Sequence, residues 1–352
     1  MRRRLTVAFL VVLVLALLAA AVLVATNWWR DRGQTDLERA ISYAPADAER
    51  LSWTDWAGVR ESLGTDDLER LLDAGFDADL TSTSALVASG IEMEDRLSFS
   101  PASADWELFS QSEQGAVVIL RMPEDTDFDA LADRLERSGF ARPDGDATAG
   151  GVWEGGEQLL AQLGGILTPE LQHVALVADE QLVLSSDQPA YLAQAVDGLG
   201  DGPGDDEVAD GLRDAVGAVG EPLSAAVYDG PYTCAALAMN NADPADQAAG
   251  ERLVAEAGEV SPLTGFAMGV LPGGDVRVAM AFEDDERART NADTRSVLAS
   301  GPAPGQGGDF ADRFALDAAT ADGNIVTLDL EPAEGSYVLS DLSTGPVLFA
   351  TC

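Results

Sequence analysis

The alternation of hydrophobic and polar residues divides most of the chain into short strand-like and helix-like segments. Alternating apolar positions come in pairs separated by turn residues, as in residues 106–109 with 115–121 and residues 174–177 with 182–185. Apolar residues at helical spacing occupy residues 126–138, and Gly139 ends that segment. The pattern predicts an α+β fold in which mixed, mainly antiparallel sheets pack with helices.

The order hairpin, helix, hairpin occurs once in each half of the chain, at residues 105–185 and again at residues 265–331. Duplication of one module and coincidence in an α+β chain both account for this order. Residues 198–206 are rich in Gly, Pro and Asp, which end regular elements. We therefore predict two extracytoplasmic α+β domains, at residues 48–199 and 207–352.

Residues before the first domain divide into an anchor and a linker. At the start of the first domain, residues 45–90 carry mainly helical signals, including a helix at residues 66–74 that we expect to end at Gly75. Residues 30–47 read as a polar juxtamembrane linker, in which Thr35 is placed to cap a short helix.

The N-terminus carries the strongest functional signal in the sequence. Residues 5–26 form an uninterrupted, mostly apolar run, which as a helix would be ~33 Å long against a hydrocarbon core of ~30 Å. The flanking residues are those of a membrane anchor: Arg2, Arg3 and Arg4 before the run, Trp28 and Trp29 after it. We predict that residues 1–29 are an uncleaved signal anchor, with a cleaved signal peptide as the alternative.

Orientation and partner follow from the same segment. The positive-inside rule places the arginine triplet in the cytoplasm and the rest of the chain outside, in a single-pass topology in the cell membrane. The lipid bilayer is therefore one predicted partner. A bacterial lipoprotein anchor is excluded because no Cys follows the apolar run.

The composition excludes several classes of function. The chain has 352 residues, 61 of them acidic and 21 basic, for a formal net charge of −40. Such a surface repels phosphate, so we expect no nucleic-acid partner. Every basic residue is Arg, which is consistent either with a GC-rich genome or with a high-salt environment that screens clustered carboxylates.

No catalytic, cofactor-binding or metal-binding constellation is visible in the sequence. The single His, His173, precedes a strand without a nearby nucleophile, and we expect it to be structural. The acidic runs at residues 144–146 and 205–207 do not fit a calcium loop, and we interpret them as solvated loops. Residues 301–308 are an uncharged Gly/Pro loop, either a flexible connection or an apolar lip over a groove. We expect Trp53, Trp56, Trp106 and Trp153 to be core or sheet-face residues.

The two cysteines, Cys234 and Cys352, are predicted to form a disulfide. An even number of cysteines in an oxidising compartment favours a bridge, and both lie beside hydrophobic residues that can reach one core. Two free buried thiols or a catalytic thiol are the alternatives. A catalytic thiol lacks a basic neighbour that would lower its pKa.

The signal anchor, the modules exemplified by VALVADEQLVLSSDQPAYL and the ending DLSTGPVLFATC together resemble membrane-anchored envelope proteins of high-GC Gram-positive (actinobacterial) bacteria. This resemblance covers most of the exterior chain at the level of organisation. It implies a location, and it brings no activity and no catalytic residues.

The function predicted from these observations is a non-enzymatic binding or scaffold role in the cell envelope, with an unknown envelope protein or an apolar ligand as partner. A carrier of hydrophobic molecules is the alternative, and it requires a cavity of roughly several hundred Å³. A hydrolase that uses two carboxylates is a further alternative.

Overall fold

A computed structural model describes residues 33–200, 202 and 207–352. Eleven strands of this part of the chain form one sheet in which every neighbouring pair is antiparallel. The strands are β1 (Arg50–Thr54), β2 (Trp106–Gln111), β3 (Ala116–Arg121), β4 (Ala149–Glu154), β5 (His173–Val177), β6 (Leu182–Ser186), β7 (Ser224–Asp229), β8 (Gly265–Val270), β9 (Val276–Ala281), β10 (Phe314–Asp322) and β11 (Ile325–Pro332). The predicted α+β class with an antiparallel sheet packed by helices is confirmed.

Helices connect these strands and cover both faces of the sheet. They are α1 (Asp36–Ala40), α2 (Trp56–Leu63), α3 (Leu68–Asp77), α4 (Gly90–Leu97), α5 (Phe128–Ser138), α6 (Glu157–Leu163), α7 (Pro189–Asp197), α8 (Glu207–Val219), α9 (Gly230–Tyr232), α10 (Pro244–Ala257), α11 (Asp285–Ala299) and α12 (Val338–Ser343). A π-helical turn, Thr233–Leu237, follows α9 directly.

The strand order is β10-β11-β9-β8-β7-β1-β2-β3-β6-β5-β4. In each half the first strand pairs with a hairpin, and the outer strand of that hairpin pairs with the last strand of its half. The halves meet where β1 pairs with β7, with Arg50 opposite Tyr228 and Thr54 opposite Ser224. Residues 201 and 203–206, at the predicted domain boundary, lie outside the described residues, and the division into two domains stays a prediction.

Two hydrophobic cores lie on opposite faces of the sheet. The side chains of α1, α7 and α8 pack on one face, around Trp53 and Trp106. The other helices from α2 onward, together with the C-terminal residues 347–350, pack on the opposite face. Strand residues alternate between the two cores, as the period of two requires.

Helix α1 lies within the segment predicted to be a linker. Thr35 caps it as predicted, because its hydroxyl accepts from the Glu38 N–H while the Glu38 carboxylate accepts from the Thr35 N–H. Leu37, Ala40 and Ile41 are buried against the sheet. Part of the predicted linker therefore belongs to the described fold.

Two strands and one helix end are among the differences from the predicted pattern, which also did not include helices α6, α8 and α12. Strand β1 lies in the region predicted to be helical, and β4 was not predicted. Helix α3 passes through Gly75 to Asp77, and that glycine is buried where a Cβ would lie 2.5 Å from Thr81 Cγ2. The five residues of β1 are too short to show a period, and their pairing with β2 and β7 makes them a strand.

A buried carboxylate links β2 to the segment after α3. Glu107 is 1% exposed, and its oxygens accept from Trp56 Nε1 at 3.0 Å, Ser84 Oγ at 2.8 Å and the Ala85 N–H at 2.7 Å. Burial raises the pKa of Glu107, while these donors lower it. The side chain thus holds the connection between α3 and α4 on the sheet.

The predicted anchor, with Arg2, Arg3, Arg4, Trp28 and Trp29 at its flanks, lies outside the described residues. Among the helices that are described, none has both the length and the apolar character needed to cross a bilayer.

Candidate functional site

The main candidate site is a half-open cavity of about 370 Å³ between helix α10 and the C-terminal residues. We name it the C-terminal cavity. Its lining residues are Met239, Asn240, Gln247, Gly250, Glu251, Val254, Ala255, Val260, Thr351 and Cys352.

Helix α10 approaches the core at one point. Asp243 caps the helix by accepting from the Ala245 and Asp246 N–H groups. Gly250 is the one fully buried residue of α10, and a Cβ there would lie 3.2 Å from Met239 Cγ and 3.4 Å from Leu348 Cδ1. The rest of the helix packs less closely, which leaves the cavity open along its side.

The disulfide predicted from the sequence joins Cys234 to Cys352, with the two Cα atoms 5.6 Å apart. Cys234 lies in the π-helical turn, and Cys352 lines the cavity. The bridge therefore fixes one wall of the cavity to the segment that precedes α10.

A buried arginine holds the C-terminal segment from the other side. Arg295 of α11 is 0% exposed, and its guanidinium donates to the carbonyl oxygens of Phe349, Thr351 and Ser261 and to Asn291 Oδ1. Burial lowers the pKa of Arg295 to about 9. In the sequence, the one signal for this role is the spacing of Asn291 and Arg295, which places them on one helix face.

The rim of the cavity offers hydrogen-bond acceptors. Asn240 Nδ2 donates to the Cys234 carbonyl at 2.7 Å, and Gln247 Nε2 donates to the carbonyls of Asn240 and Ala242 at 3.0 and 2.9 Å. Both amide nitrogens are thus committed to the protein, and neither amide oxygen accepts a hydrogen bond from the described residues. With the Glu251 carboxylate, these oxygens favour a ligand group that donates.

The other residues singled out from the sequence lie away from this cavity. His173 on β5 is 9% exposed, pairs with Ser186 and Glu154 across the sheet, and has no partner for Nδ1 among the described residues. Burial lowers its pKa, so the neutral form is favoured. Trp53, Trp56, Trp106 and Trp153 are all buried, which confirms their predicted core or sheet-face role, and Trp106 also lines a different pocket.

The acidic and glycine-rich loops do not form the site. Asp146 accepts from the N–H and hydroxyl of Thr148, both at 3.0 Å, while residues 205 and 206 lie outside the described residues. The loop at 301–308 closes through a bridge between Pro302 and Asp309 and buries Ala303. In the described part of the chain, no group of three His, Cys, Asp or Glu residues is arranged to hold a metal ion.

Comparison with known proteins brings a distant structural similarity. No protein-family model and no curated protein matches the chain. A solved structure described as crystal form I of TP0453 aligns over 88% of this chain and 97% of its own, with 7% identity and a TM-score of 0.39. A similarity at that TM-score does not establish a shared fold.

Proposed function

We propose that the protein is a membrane-anchored, extracytoplasmic, non-enzymatic binding protein whose C-terminal cavity takes a small amphipathic molecule. The observation that carries this proposal is the half-open cavity with an apolar floor and a rim of unused acceptors. Its volume of about 370 Å³ lies within the range of ~300–1,000 Å³ that small-molecule sites occupy.

The lining indicates the class of ligand. Met239, Val254 and Val260 offer apolar surface to the body of the ligand. The oxygens of Asn240, Gln247 and Glu251 require a polar end that donates hydrogen bonds, such as an amine or a hydroxyl. A carboxylate end would meet the Glu251 charge and is disfavoured.

The location rests on the predicted anchor and on the disulfide. Disulfides persist in oxidising compartments and are rare in the cytosol, which supports placing the folded part outside the membrane. The resemblance to actinobacterial envelope proteins is consistent with this location and stays a prediction. We also infer that the two halves are duplicated modules, since their strands pair in the same order outward from β1 and β7.

A titration of the full chain in lipid nanodiscs tests the proposed function. We expect calorimetry to detect hexylamine and hexanol, after subtraction of empty nanodiscs, and hexanoate to bind at least about tenfold more weakly. Equal binding of hexylamine and hexanoate would contradict the proposed rim chemistry.

Two variants on helix α10 localise the site. Ala255 is exposed and lines the cavity, so Ala255→Trp fills its mouth without entering the core. Ala245 is exposed on the same helix and does not line the cavity, so Ala245→Trp is the matched control. Binding should be lost in the first variant and unchanged in the second, and unaltered binding in Ala255→Trp would place the ligand elsewhere.

The carboxylate-based hydrolase stays a prediction. Asp55 and Asp105 lie in one pocket, and burial raises the pKa of both carboxyls. One of them has a structural task, because Asp55 caps α2 by accepting from the Gly58 N–H at 2.8 Å. Its substitution would therefore lower stability as well as any activity.

A further inference from the structure

A second pocket lies on the opposite face of the sheet, where β1 and β3 end and β2 begins. We name it the strand-end pocket, and its volume is about 360 Å³. It is lined by Asp36, Arg39, Tyr43, Asp55, Ala57, Asp105, Trp106, Arg121 and Glu124. A groove of about 170 Å³ shares Asp36 and Asp55 with it and extends to Glu221.

The strand register brings these polar residues together. Thr54 pairs with Glu107, and Trp106 pairs with Arg121, so Asp55, Asp105 and Arg121 lie at one end of three adjacent strands. The Ala57 N–H donates to the Asp105 carbonyl at 2.8 Å and fixes the start of α2 beside them. Helix α1 contributes Asp36 and Arg39 to the pocket lining.

Two carboxyl groups in this pocket are partly desolvated. Burial raises the pKa of Asp55 and of Asp105, and the neighbouring Asp36 charge raises both further. The nearby Arg60 guanidinium opposes these shifts. The Asp105 charge also raises the pKa of Asp55. A cationic group between these two carboxylates would relieve the repulsion between them.

The pocket also contains an arginine, Arg121, whose charge lowers the pKa of Asp105 without forming an ion pair with it. Arg39 pairs with Asp36, but Arg121 forms no ion pair within 4.0 Å with any residue that the structure describes. Only one of its nitrogens is engaged, Nη1, which donates to the Glu180 carbonyl at 2.6 Å. The rest of the guanidinium is available to an anion.

The indole of Trp106 adds an independent hydrogen-bond donor to the pocket. Trp106 is 6% exposed and packs between Tyr43, at 6.2 Å between ring centroids, and Trp53, at 5.4 Å. Trp53 donates its indole N–H to the Pro222 carbonyl at 3.0 Å. The Trp106 N–H donates to no described residue, and it is not one of the fully buried polar atoms that lack a partner, so it is accessible at the surface of the pocket that Trp106 lines.

We propose that the strand-end pocket binds a small zwitterion. Its ammonium group lies between Asp55 and Asp105, and its anionic oxygens accept from Arg121 and from the Trp106 indole N–H. The aromatic ring of Tyr43 provides a further wall for the cation. This site is separate from the C-terminal cavity, and the proposal does not depend on the ligand of that cavity.

Two sources share this chemistry, a free amino acid or dipeptide and an ethanolamine phosphate headgroup. The chain from Trp29 to Asp36 can span at most ~25 Å, so an anchor at residues 1–29, as predicted from the sequence, would keep α1 and this pocket near the bilayer. Both sources are therefore within reach, and the experiment separates them.

The test uses the full chain in nanodiscs that contain no ethanolamine lipid, with tryptophan fluorescence and calorimetry as readouts. We expect glycylglycine and glycerophosphoethanolamine to bind competitively and to change the tryptophan emission. Ethylamine and acetate, which each carry half of the ligand, should bind at least about tenfold more weakly because a charge-assisted hydrogen bond is lost. If ethylamine binds as tightly as glycylglycine, the anionic half of the proposal is wrong.

The source is read from the stronger of the two zwitterions. Tighter binding of glycerophosphoethanolamine, with quenching on adding vesicles of phosphatidylethanolamine, supports the headgroup. Tighter binding of glycylglycine supports the free dipeptide. If neither zwitterion binds and the vesicles have no effect, the proposal is overturned.

Variants assign the contacts. Arg121→Gln should weaken zwitterion binding at least about tenfold, and Arg121→Lys should restore part of it through the retained charge. Arg142→Gln is the matched control, because Arg142 pairs with Glu136 outside the pocket. Trp106→Phe keeps an aromatic ring and removes the indole N–H, so it should weaken zwitterion binding. If both Trp106→Phe and Arg121→Gln bind the zwitterions with wild-type affinity, the proposed contacts are overturned.

Discussion

Replacing both cysteines by alanine should destabilise the protein through its unfolded state while leaving the folded C-terminus in place. The bridge joins residues separated by 118 positions. In the chain-entropy model, a loop of that length corresponds to about 5 kcal/mol as an upper value. For the ~320 residues that the structure describes, the unfolding entropy is roughly 0.7 kcal/mol/K, so the melting temperature should fall by about 7 °C.

The structure explains why the tail should stay in place without the bridge. Val347, Leu348, Phe349 and Ala350 are each no more than 1% exposed, and the Val347 N–H donates to the Leu237 carbonyl at 2.9 Å. The Arg295 guanidinium of α11 donates to the carbonyl oxygens of Phe349 and Thr351 in this segment. The folded state therefore loses few contacts when the sulfur–sulfur bond is absent.

Two measurements check this reasoning on the Cys234→Ala/Cys352→Ala variant. Thermal unfolding followed by circular dichroism gives the stability loss, and amide hydrogen exchange gives the local protection of Val347 and Ala350. The single variant Cys352→Ala is the control, and it should lose a similar amount of stability. If the melting temperature decreases by less than about 2 °C, the entropic estimate is refuted. If the Val347 and Ala350 amides exchange through an opening whose free energy is well below that of global unfolding, the bridge is what holds the folded tail in place.

Three further predictions concern the buried charges and the anchor. Arg295→Met should lower the free energy of unfolding by about 2–5 kcal/mol, because it leaves buried carbonyl groups unpaired. Chemical denaturation measures this loss. A loss of less than about 1 kcal/mol, the contribution of an ordinary hydrogen bond, would contradict the prediction. The pKa of Glu107 and of Asp79 is raised in the folded state, so these groups make stability fall as pH rises above their ordinary values near 4, whereas the lowered pKa of His173 makes stability rise as pH approaches its ordinary value near 6.5. The melting temperature at pH 5 minus that at pH 7, at constant ionic strength, should therefore be smaller in Glu107→Gln than in the wild-type protein, and an unchanged difference would contradict this. A reporter fused after about residue 35 should be active only if it works outside the cytoplasm, and activity of a cytoplasmic reporter, or a mature N-terminus near residue 27, would contradict the uncleaved anchor.

Local elements of this protein were determined by the sequence alone. The helix Phe128–Ser138 has its apolar residues at helical spacing and its left-handed Gly139 cap where predicted, and the capping box at Thr35 is formed. The hairpins of β2 with β3 and of β5 with β6 also occur at the predicted positions. These features depend on residues a few positions apart, so short-range periodicity and turn chemistry suffice to predict them. The disulfide was predictable because only two cysteines are present.

The sheet order and both pockets were decided only by the tertiary structure. Strand β1 is defined by pairing with β2 and β7, whose residues are far from it in the chain. The strand-end pocket exists because Asp55, Asp105 and Arg121 end up on neighbouring strands, and the C-terminal cavity exists because Gly250 packs against Leu348. In a sequence with 61 acidic residues, no local pattern separates the few carboxyls that become desolvated from those that stay in water. Burial depends on contacts between distant segments, and for that reason the chemistry of both sites became visible only in the folded chain.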